Sequence, residues 1–291
     1  MTGTPAPGAD GWRPGLVALD IDGTLLAWVE GGGTTYEQVT AATYDAVHRA
    51  LDAGAHVVLS SGRSPHDMTG IADLLDLRGR PDAGGDDRLW VVASNGAVIF
   101  RYRVGDDEID VVHEETFDPG PAVRAVLEKR PGARVAVEER GSGYRVTTPF
   151  PEGELAGDMI VTDLEELISR PVSRVIIRDP DATADDFVAL SEDLGLHGTD
   201  YVVGWTAWLD LTPVGVSKAS GLDHVCREVG LEAADVLAVG DGRNDVEMLA
   251  WAGRGVAMGQ AVEAVREAAD DVTGTVYDDG AAAELGRWFP S

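Results

Sequence analysis

Four apolar residues, Leu16-Val17-Ala18-Leu19, run directly into Asp20-Ile21-Asp22-Gly23-Thr24. A short, uninterrupted apolar run suits a strand buried on both faces, and an extended chain has a side-chain period of two. Asp20 and Asp22 therefore leave the strand's end on the same side. Two like charges held together raise each other's proton affinity unless a cation lies between them. Such a pair suits a hard metal ion with nucleophilic or acid–base chemistry. Read alone, the same letters also describe a strand closing in an Asp-Gly turn. The rest of the chain has to decide.

The segments around this strand repeat one grammar. Thr34 or Thr35, with Glu37 and Gln38 three residues on, has capping-box spacing. Tyr44, Val47 and Leu51 then share one face of a helix ending at Gly54. Ala55 to Leu59 reads as a buried strand, closed by Ser60-Ser61-Gly62-Arg63. Ser64 and Pro65 open a second helix carrying Met68, Ile71, Leu74 and Leu75. The C-terminal part continues the pattern: a helix over 221–229, a strand over 235–239, a helix over 246–250, a short strand at Val256-Ala257-Met258 and a helix over 261–269. Strands alternating with helices through short loops predict a parallel sheet covered on both faces.

The middle departs from that pattern. Short strands are expected at 90–93, 98–103, 109–113, 175–178 and 205–211, with a hairpin of 134–138 and 144–148 around Gly141 and Gly143. Helices are expected over 122–129 and 184–194. The expected fold is α/β: a Rossmann-like parallel-sheet core, residues 13–100 and 213–291, interrupted by an α+β domain over 101–212. Residues 1–12, rich in Gly, Pro and Ala, are expected to form a disordered tail.

Composition narrows the partners. Asp and Glu number 51 against 23 Lys and Arg, a formal net charge of −28, which disfavours nucleic acid and anionic membranes. Cys226 is the single cysteine, so no intrachain disulfide can form. The N-terminus lacks a secretory pattern, and no apolar run approaches the roughly 20 residues of a membrane helix. A cytoplasmic protein is expected.

Four groups of polar residues fall at or just beyond strand ends, where open α/β sheets bind ligands. They are Asp20 with Asp22, Ser60-Ser61-Gly62, Lys218 at the start of a helix, and Gly240-Asp241-Gly242-Arg243-Asn244-Asp245. Gathered on one sheet edge, four acids and one lysine call for a divalent cation. An all-oxygen set with room for water and phosphate suits Mg2+, and no Cys/His cluster offers a zinc site.

In this order the motifs resemble those of the haloacid dehalogenase (HAD) superfamily of phosphatases, in particular the Cof-type branch with a large C2 cap. The resemblance spans about residues 13 to 275. It implies a nucleophile at Asp20, a general acid–base at Asp22, a phosphate-binding hydroxyl at Ser61 and a third-motif base at Lys218. It further implies Mg2+ held by the carboxylates of Asp20 and Asp241 and the backbone carbonyl of Asp22, with Asn244 and Asp245 as orienting groups. Ser94-Asn95-Gly96-Ala97 also resembles a segment of this branch. Gly62, Arg63, Asn95, Asn244 and Lys218 join Ser61 as expected substrate contacts. Where the branch usually has Thr before Gly-Arg, this chain has Ser60-Ser61, which leaves two candidate hydroxyls. The implied activity is Mg2+-dependent hydrolysis of a small phosphate monoester, with substrate choice residing in the inserted domain. Arg140, Tyr144, Arg178, Trp205 and Trp208 are possible contacts there. The alternatives are a phosphomannomutase-like phosphotransferase and a non-catalytic phosphate-binding protein on the same fold. A two-component receiver shares the acids and the lysine but lacks so large an insert.

Overall fold

The computed structural model describes residues 11–29, 35–81, 85–139, 143–151, 154–155, 157–183, 185–187, 189–190, 199–203 and 208–290. Thr34, Gly141, Arg140, Trp205 and most of the expected tail lie outside the described residues, as does part of the helix expected over 184–194.

The first strand, β1 (Leu16–Leu19), is flanked in parallel register by β2 (His56–Ser60) on one side and β12 (Val236–Gly240) on the other. It thus joins the two halves of an eight-stranded sheet of order β14-β13-β12-β1-β2-β3-β4-β5. Here β3 is Leu89–Ala93, β4 Val98–Tyr102, β5 Asp110–Glu114, β13 Arg254–Ala257 and β14 Asp271–Val272. All four residues of β1 are fully buried, and they alternate between two cores. Val17 and Leu19 pack beneath α1 (Ala41–Asp52), α2 (Pro65–Leu74) and the C-terminal helix Gly280–Trp288. Leu16 and Ala18 pack against Leu222, Val225 and Cys226 of the helix Lys218–Val229, against Met248 and Leu249, and against Val265. A strand apolar at every position is what two covered faces require.

The helix expected after Thr34 or Thr35 begins later. Its N-cap is Thr40, whose hydroxyl accepts from Thr43 N, while the Thr35 hydroxyl donates to Asp22 Oδ1 at 3.1 Å. The expected border at residue 101 falls inside β4, and β4 and β5 pair antiparallel as the outer strands of the large sheet. Trp12 packs edge-on against Trp288 and donates to Ala234 O.

Between β5 and the helix starting at Lys218, the chain builds a six-stranded sheet, order β10-β11-β9-β6-β7-β8. These are β6 (Arg134–Glu139), β7 (Gly143–Val146), β8 (Asp158–Val161), β9 (Val175–Arg178), β10 (Thr199–Val203) and β11 (Trp208–Pro213). All pairs are antiparallel except β7 with β8. β8 and β10 were not foreseen in the sequence. One face, with Val135, Val137, Val175, Ile177, Leu209 and Leu211, packs against α3 (Gly120–Lys129) and a helical turn at Leu164–Leu167. The opposite parity carries Glu138, Tyr144, Arg174 and Asp210 at the end nearest the large sheet. No helix among the described residues is long and apolar enough to cross a membrane.

The two sheets meet across a polar seam. Ser94, just after β3, donates its hydroxyl to both oxygens of Glu138 on β6, at 3.0 and 2.8 Å. Arg174 is buried beside Glu138 and pairs with Asp210 at 2.8 Å. Asp67 of α2 and Tyr144 of β7 also face this cluster. Burial pushes Glu138 up from 4.5 to about 7, opposed by Arg174 and by the Ser94 hydroxyl. An acid whose folded pKa is raised favours the fold most at low pH and loses that contribution as pH climbs through 7. Glu138→Gln keeps an acceptor for Ser94 and removes the buried charge. Its stability relative to the parent should therefore be greater at pH 8 than at pH 5 by ~2 kcal/mol. Urea denaturation at both pH values checks this; an equal difference at each would show that Glu138 does not titrate in the seam.

Candidate active site

The site forms where three parallel strands end side by side. β1 delivers Asp20, β2 delivers Ser61 and β12 delivers Asp241, so the β1 acid lies between the other two. Lys218 arrives from the opposite direction, as the first residue of a helix capped by Ser217, whose hydroxyl accepts from Ser220 N. The Lys218 side chain is fully buried, and its Nζ donates to Asp20 Oδ1 at 2.6 Å and Asp245 Oδ1 at 2.7 Å. Burial works against its charge, but Asp20 and Asp245 more than compensate and hold the ammonium above the ordinary lysine value.

Asp245 is anchored at both oxygens. Oδ1 takes Lys218, while Oδ2 accepts the backbone N–H groups of Asp241 and Gly242 at 3.0 and 2.8 Å. This folds the 241–245 loop around its own last acid and turns Asp241 toward Asp20. One carboxylate oxygen from each of Asp20, Asp241 and Asp245 lies within 4.8 Å of the others, all three residues being buried. Burial raises Asp20 well above an ordinary carboxylate, with the Asp245 charge adding to it and Lys218 opposing. Burial, then the Asp245 charge, pushes Asp241 up to about 7. Three carboxylates against one ammonium leave two negative charges in excess, which a divalent cation would balance.

The donors are all oxygen, the preference of a hard ion such as Mg2+. Gly23 shows how tightly the loop closes on them. Its φ is +84°, and a Cβ there would overlap the Asp241 carboxylate and the Trp28 indole nitrogen. The residues present fit such an ion.

Asp22 points elsewhere. Its carboxylate takes Arg63 Nε at 2.9 Å on Oδ2 and Arg63 Nη2 at 2.6 Å on Oδ1. Arg63 is thus engaged with Asp22 and with the Thr35 hydroxyl. Ser61 is held by its N–H to Val92 O, by Asn95 N–H on its carbonyl and by Arg63 N–H on its hydroxyl. Ser60 Oγ is buried with no hydrogen-bond partner among the described residues. Asn95 stands between two loops: its Oδ1 accepts from Asn244 Nδ2 at 2.9 Å, and a Cβ on Gly62 would come within 3.0 Å of it. Asp20, Asp22, Ser61, Lys218, Asp241, Asn244 and Asp245 therefore collect at one sheet edge, with the Asp22 carboxylate turned to Arg63.

Three further residues make contacts that sequence reasoning did not use. Thr24 donates to Asp20 Oδ2 at 3.2 Å, Gln260 donates to Asp241 Oδ2 at 3.0 Å and to Gly23 O, and Thr35 bonds Asp22. Thr24 lies within the first motif and could have been found there. Gln260 sits in a loop after β13 with no pattern around it. Of the considered contacts in the insert, Tyr144 is buried in the seam, Arg178 pairs with Glu154, and Trp208 packs edge-on against Phe150.

A family profile described as haloacid dehalogenase-like hydrolase matches residues 17–285. The chain is 31% identical over 271 residues to a phosphoglycolate phosphatase of Natronomonas pharaonis, covering 93% of this chain and 96% of that protein. It is 26% identical over 273 residues to the 5-amino-6-(5-phospho-D-ribitylamino)uracil phosphatase YcsE of Bacillus subtilis, covering 94% and 95%. Among solved structures, the HAD-superfamily phosphatase BT1666 of Bacteroides thetaiotaomicron superposes with a TM-score of 0.73 at 26% identity, over 99% of each chain. The HAD subclass IIB sugar phosphatase BT4131 shares the fold, with a TM-score of 0.74 at 23% identity over 94% of this chain and 98% of that one. With the profile running through almost the entire chain and the acidic motifs meeting as they do, this protein belongs to the haloacid dehalogenase-like hydrolases, in their Cof-type branch, and is a phosphoric monoester hydrolase.

Proposed function

We propose that the protein is a Mg2+-dependent phosphatase that hydrolyses a small phosphate monoester, a sugar phosphate or related metabolite phosphate, through an aspartyl-phosphate on Asp20. The observation that carries this reading is Asp20 itself, buried against Lys218 Nζ at 2.6 Å with an Asp241 oxygen within 4.8 Å. Asp20 and Asp241 would hold the ion through their carboxylates and Asp22 through its backbone carbonyl. Mg2+ would supply neutralising charge for a phosphoryl group in transit.

Asp20 attacks phosphorus while Lys218 offsets the negative charge brought to it. Asp22, when protonated, donates to the leaving oxygen; as a carboxylate it then takes a proton from the attacking water. Arg63 holds the Asp22 carboxylate through two nitrogens, which fixes its orientation at the edge. Ser61, the Gly62 backbone and Asn95 bind phosphoryl oxygens, and Asn244 and Asp245 orient Asn95 and Lys218. The cap, in this reading, is the stretch between Glu114 and Pro213 that builds the six-stranded sheet, and it selects the leaving group. The relatives named for phosphoglycolate and for a phosphoribitylamino-uracil support a small metabolite as substrate.

An aryl phosphate assay with released phosphate as readout tests the proposal. Hydrolysis should require Mg2+, stop with chelator and need no sugar bisphosphate. Asp20→Asn should abolish turnover with an unchanged circular dichroism spectrum; substantial residual hydrolysis would refute the aspartyl-phosphate route.

Lys218→Met provides a second test. Removing one partner from a buried ion cluster costs about 3 to 5 kcal/mol, because the remaining charges are left uncompensated. That loss should appear in chelator and shrink with millimolar Mg2+. Calorimetric melting in both conditions measures it. An identical loss with and without the ion would mean that these carboxylates do not hold it.

A further inference from the structure

The turn Ser94-Asn95-Gly96 lies between the phosphate loop and the cap, and it is wound in an unusual way. All three residues have positive φ, +51°, +54° and +103°. For a serine and an asparagine this left-handed winding is disfavoured, so surrounding contacts must hold it. Those contacts come from both sides. Ser94 N–H donates to Arg63 O and Asn95 N–H to Ser61 O, at 2.9 and 3.0 Å, tying the turn to the loop after β2. Gly96 is pressed against the carbonyl of Ser217, where a Cβ would overlap it, so the turn also abuts the cap of the Lys218 helix.

The Asn95 side chain completes the inner side. Its Oδ1 is taken by Asn244, while its Nδ2 is buried without a hydrogen-bond partner among the described residues. An unpaired buried donor beside Gly62 is costly in the empty protein and well placed for an anionic oxygen. On the outer side, the Ser94 hydroxyl reaches across to Glu138 of the cap, at 3.0 and 2.8 Å. Glu138 lies 4.0 Å from the Arg174 guanidinium, with Tyr144, Asp210 and Asp67 facing the same buried cluster.

We propose that Glu138 is a positioning residue for phosphoryl transfer: by gripping Ser94 it keeps the left-handed turn wound, and so keeps the Asn95 amide directed at the substrate phosphate. This rests on the phosphatase reading above and adds to it a link between cap and phosphate loop. When the cap sits on the core, Ser94 is held and Asn95 is in place. When the cap lifts, the hydroxyl loses Glu138, the turn loses its outer support and the grip on phosphate weakens. Coupling of this kind is reciprocal, so bound phosphate also favours the seated cap, and departure of product phosphate accompanies opening.

The test is titration calorimetry of inorganic phosphate into Mg2+-loaded protein. Ser94→Ala and Glu138→Ala should each weaken phosphate binding about tenfold, the scale of one lost hydrogen bond in a charged setting. Glu138→Gln, which retains an acceptor, should bind within about twofold of the parent. Asn95→Ala should weaken binding by itself, and adding Glu138→Ala to it should cost nothing more, because both changes act on one contact. A merely structural role would lower melting temperature without this non-additivity and without the glutamine rescue. Should Glu138→Ala fail to fold, Glu138→Asp withdraws the carboxylate by one methylene at unchanged charge and should give the same loss. Unaltered phosphate affinity in the folded Ser94 and Glu138 variants, or losses that add to that of Asn95→Ala, would overturn the link while leaving the phosphatase intact. A parent protein that neither binds phosphate nor hydrolyses an aryl phosphate would overturn the phosphatase reading and the link together.

Discussion

A fully buried ammonium, Lys218, bridges the tip of the first strand to the last acid of the loop after β12, and the arrangement of the active edge depends on it. Burying an isolated lysine costs several kcal/mol, and the cost is recovered only when geometry and partners are good. Here two carboxylates meet the ammonium at hydrogen-bond distance, and the second oxygen of Asp245 is occupied by two backbone amides. The loop that carries Asp241 is therefore wound around an anchor that Lys218 itself secures. Asp20 and Asp241 come from strands whose neighbouring tips the sheet already aligns; Lys218 comes from a helix that follows the whole insert. The ion cluster is what brings the returning chain back to the first strand.

This charge balance explains a mismatch that would otherwise count against the fold. Three buried carboxylates and one ammonium are an unstable set by themselves, and the raised proton affinities of Asp20 and Asp241 express that instability. Protons and a divalent cation are alternative ways to relieve it. A site built for stability alone would have an apolar core here. The excess of acid is held in place by the surrounding apolar sandwich, in which β1 is buried on both faces and cannot retreat from the edge.

Much of this arrangement was legible in the letters, for a physical reason. Buried parallel strands are apolar at every position and end at turn residues, so β1, β2 and β12 announce themselves, and the acids and serines at their tips share one edge by the rules of parallel sheets. Lys218 was legible only through the order of the motifs, since a lone lysine opening a helix carries no signal by itself; the Ser217 cap that fixes it emerged with the structure. What stayed hidden depends on contacts distant in sequence. β8 pairs parallel with β7 in a mostly antiparallel sheet, and its exposed Ile160 and Val161 give no alternation to read. The first helix starts at Ala41 with Thr40 as its N-cap, while Thr35 is bonded to Asp22, a partner 13 residues earlier. Gln260 lies 19 positions along the chain from Asp241, and Glu138 lies 44 from Ser94. Neither distance leaves a local pattern.

A phosphate ester carries negative charge, and so does this protein, at −28 overall. Long-range attraction therefore contributes nothing to capture, and the summed field opposes it at distances within the screening length. Recognition has to come from short contacts that act only once the ester is in place. In the proposed reading the edge supplies them in neutral or locally balanced form: the Ser61 hydroxyl, the Asn95 amide nitrogen, which has no partner among the described residues, and an ammonium already shared between two acids. A neutral amide donor has no reach through water, so its worth depends entirely on being held at the right point beforehand. On the proposed role of Asn95, the turn that presents it thus matters more in an acidic phosphatase than it would in a basic one. Its strained left-handed winding is the local cost of that placement, and the seam that holds it joins the cap to the same few atoms.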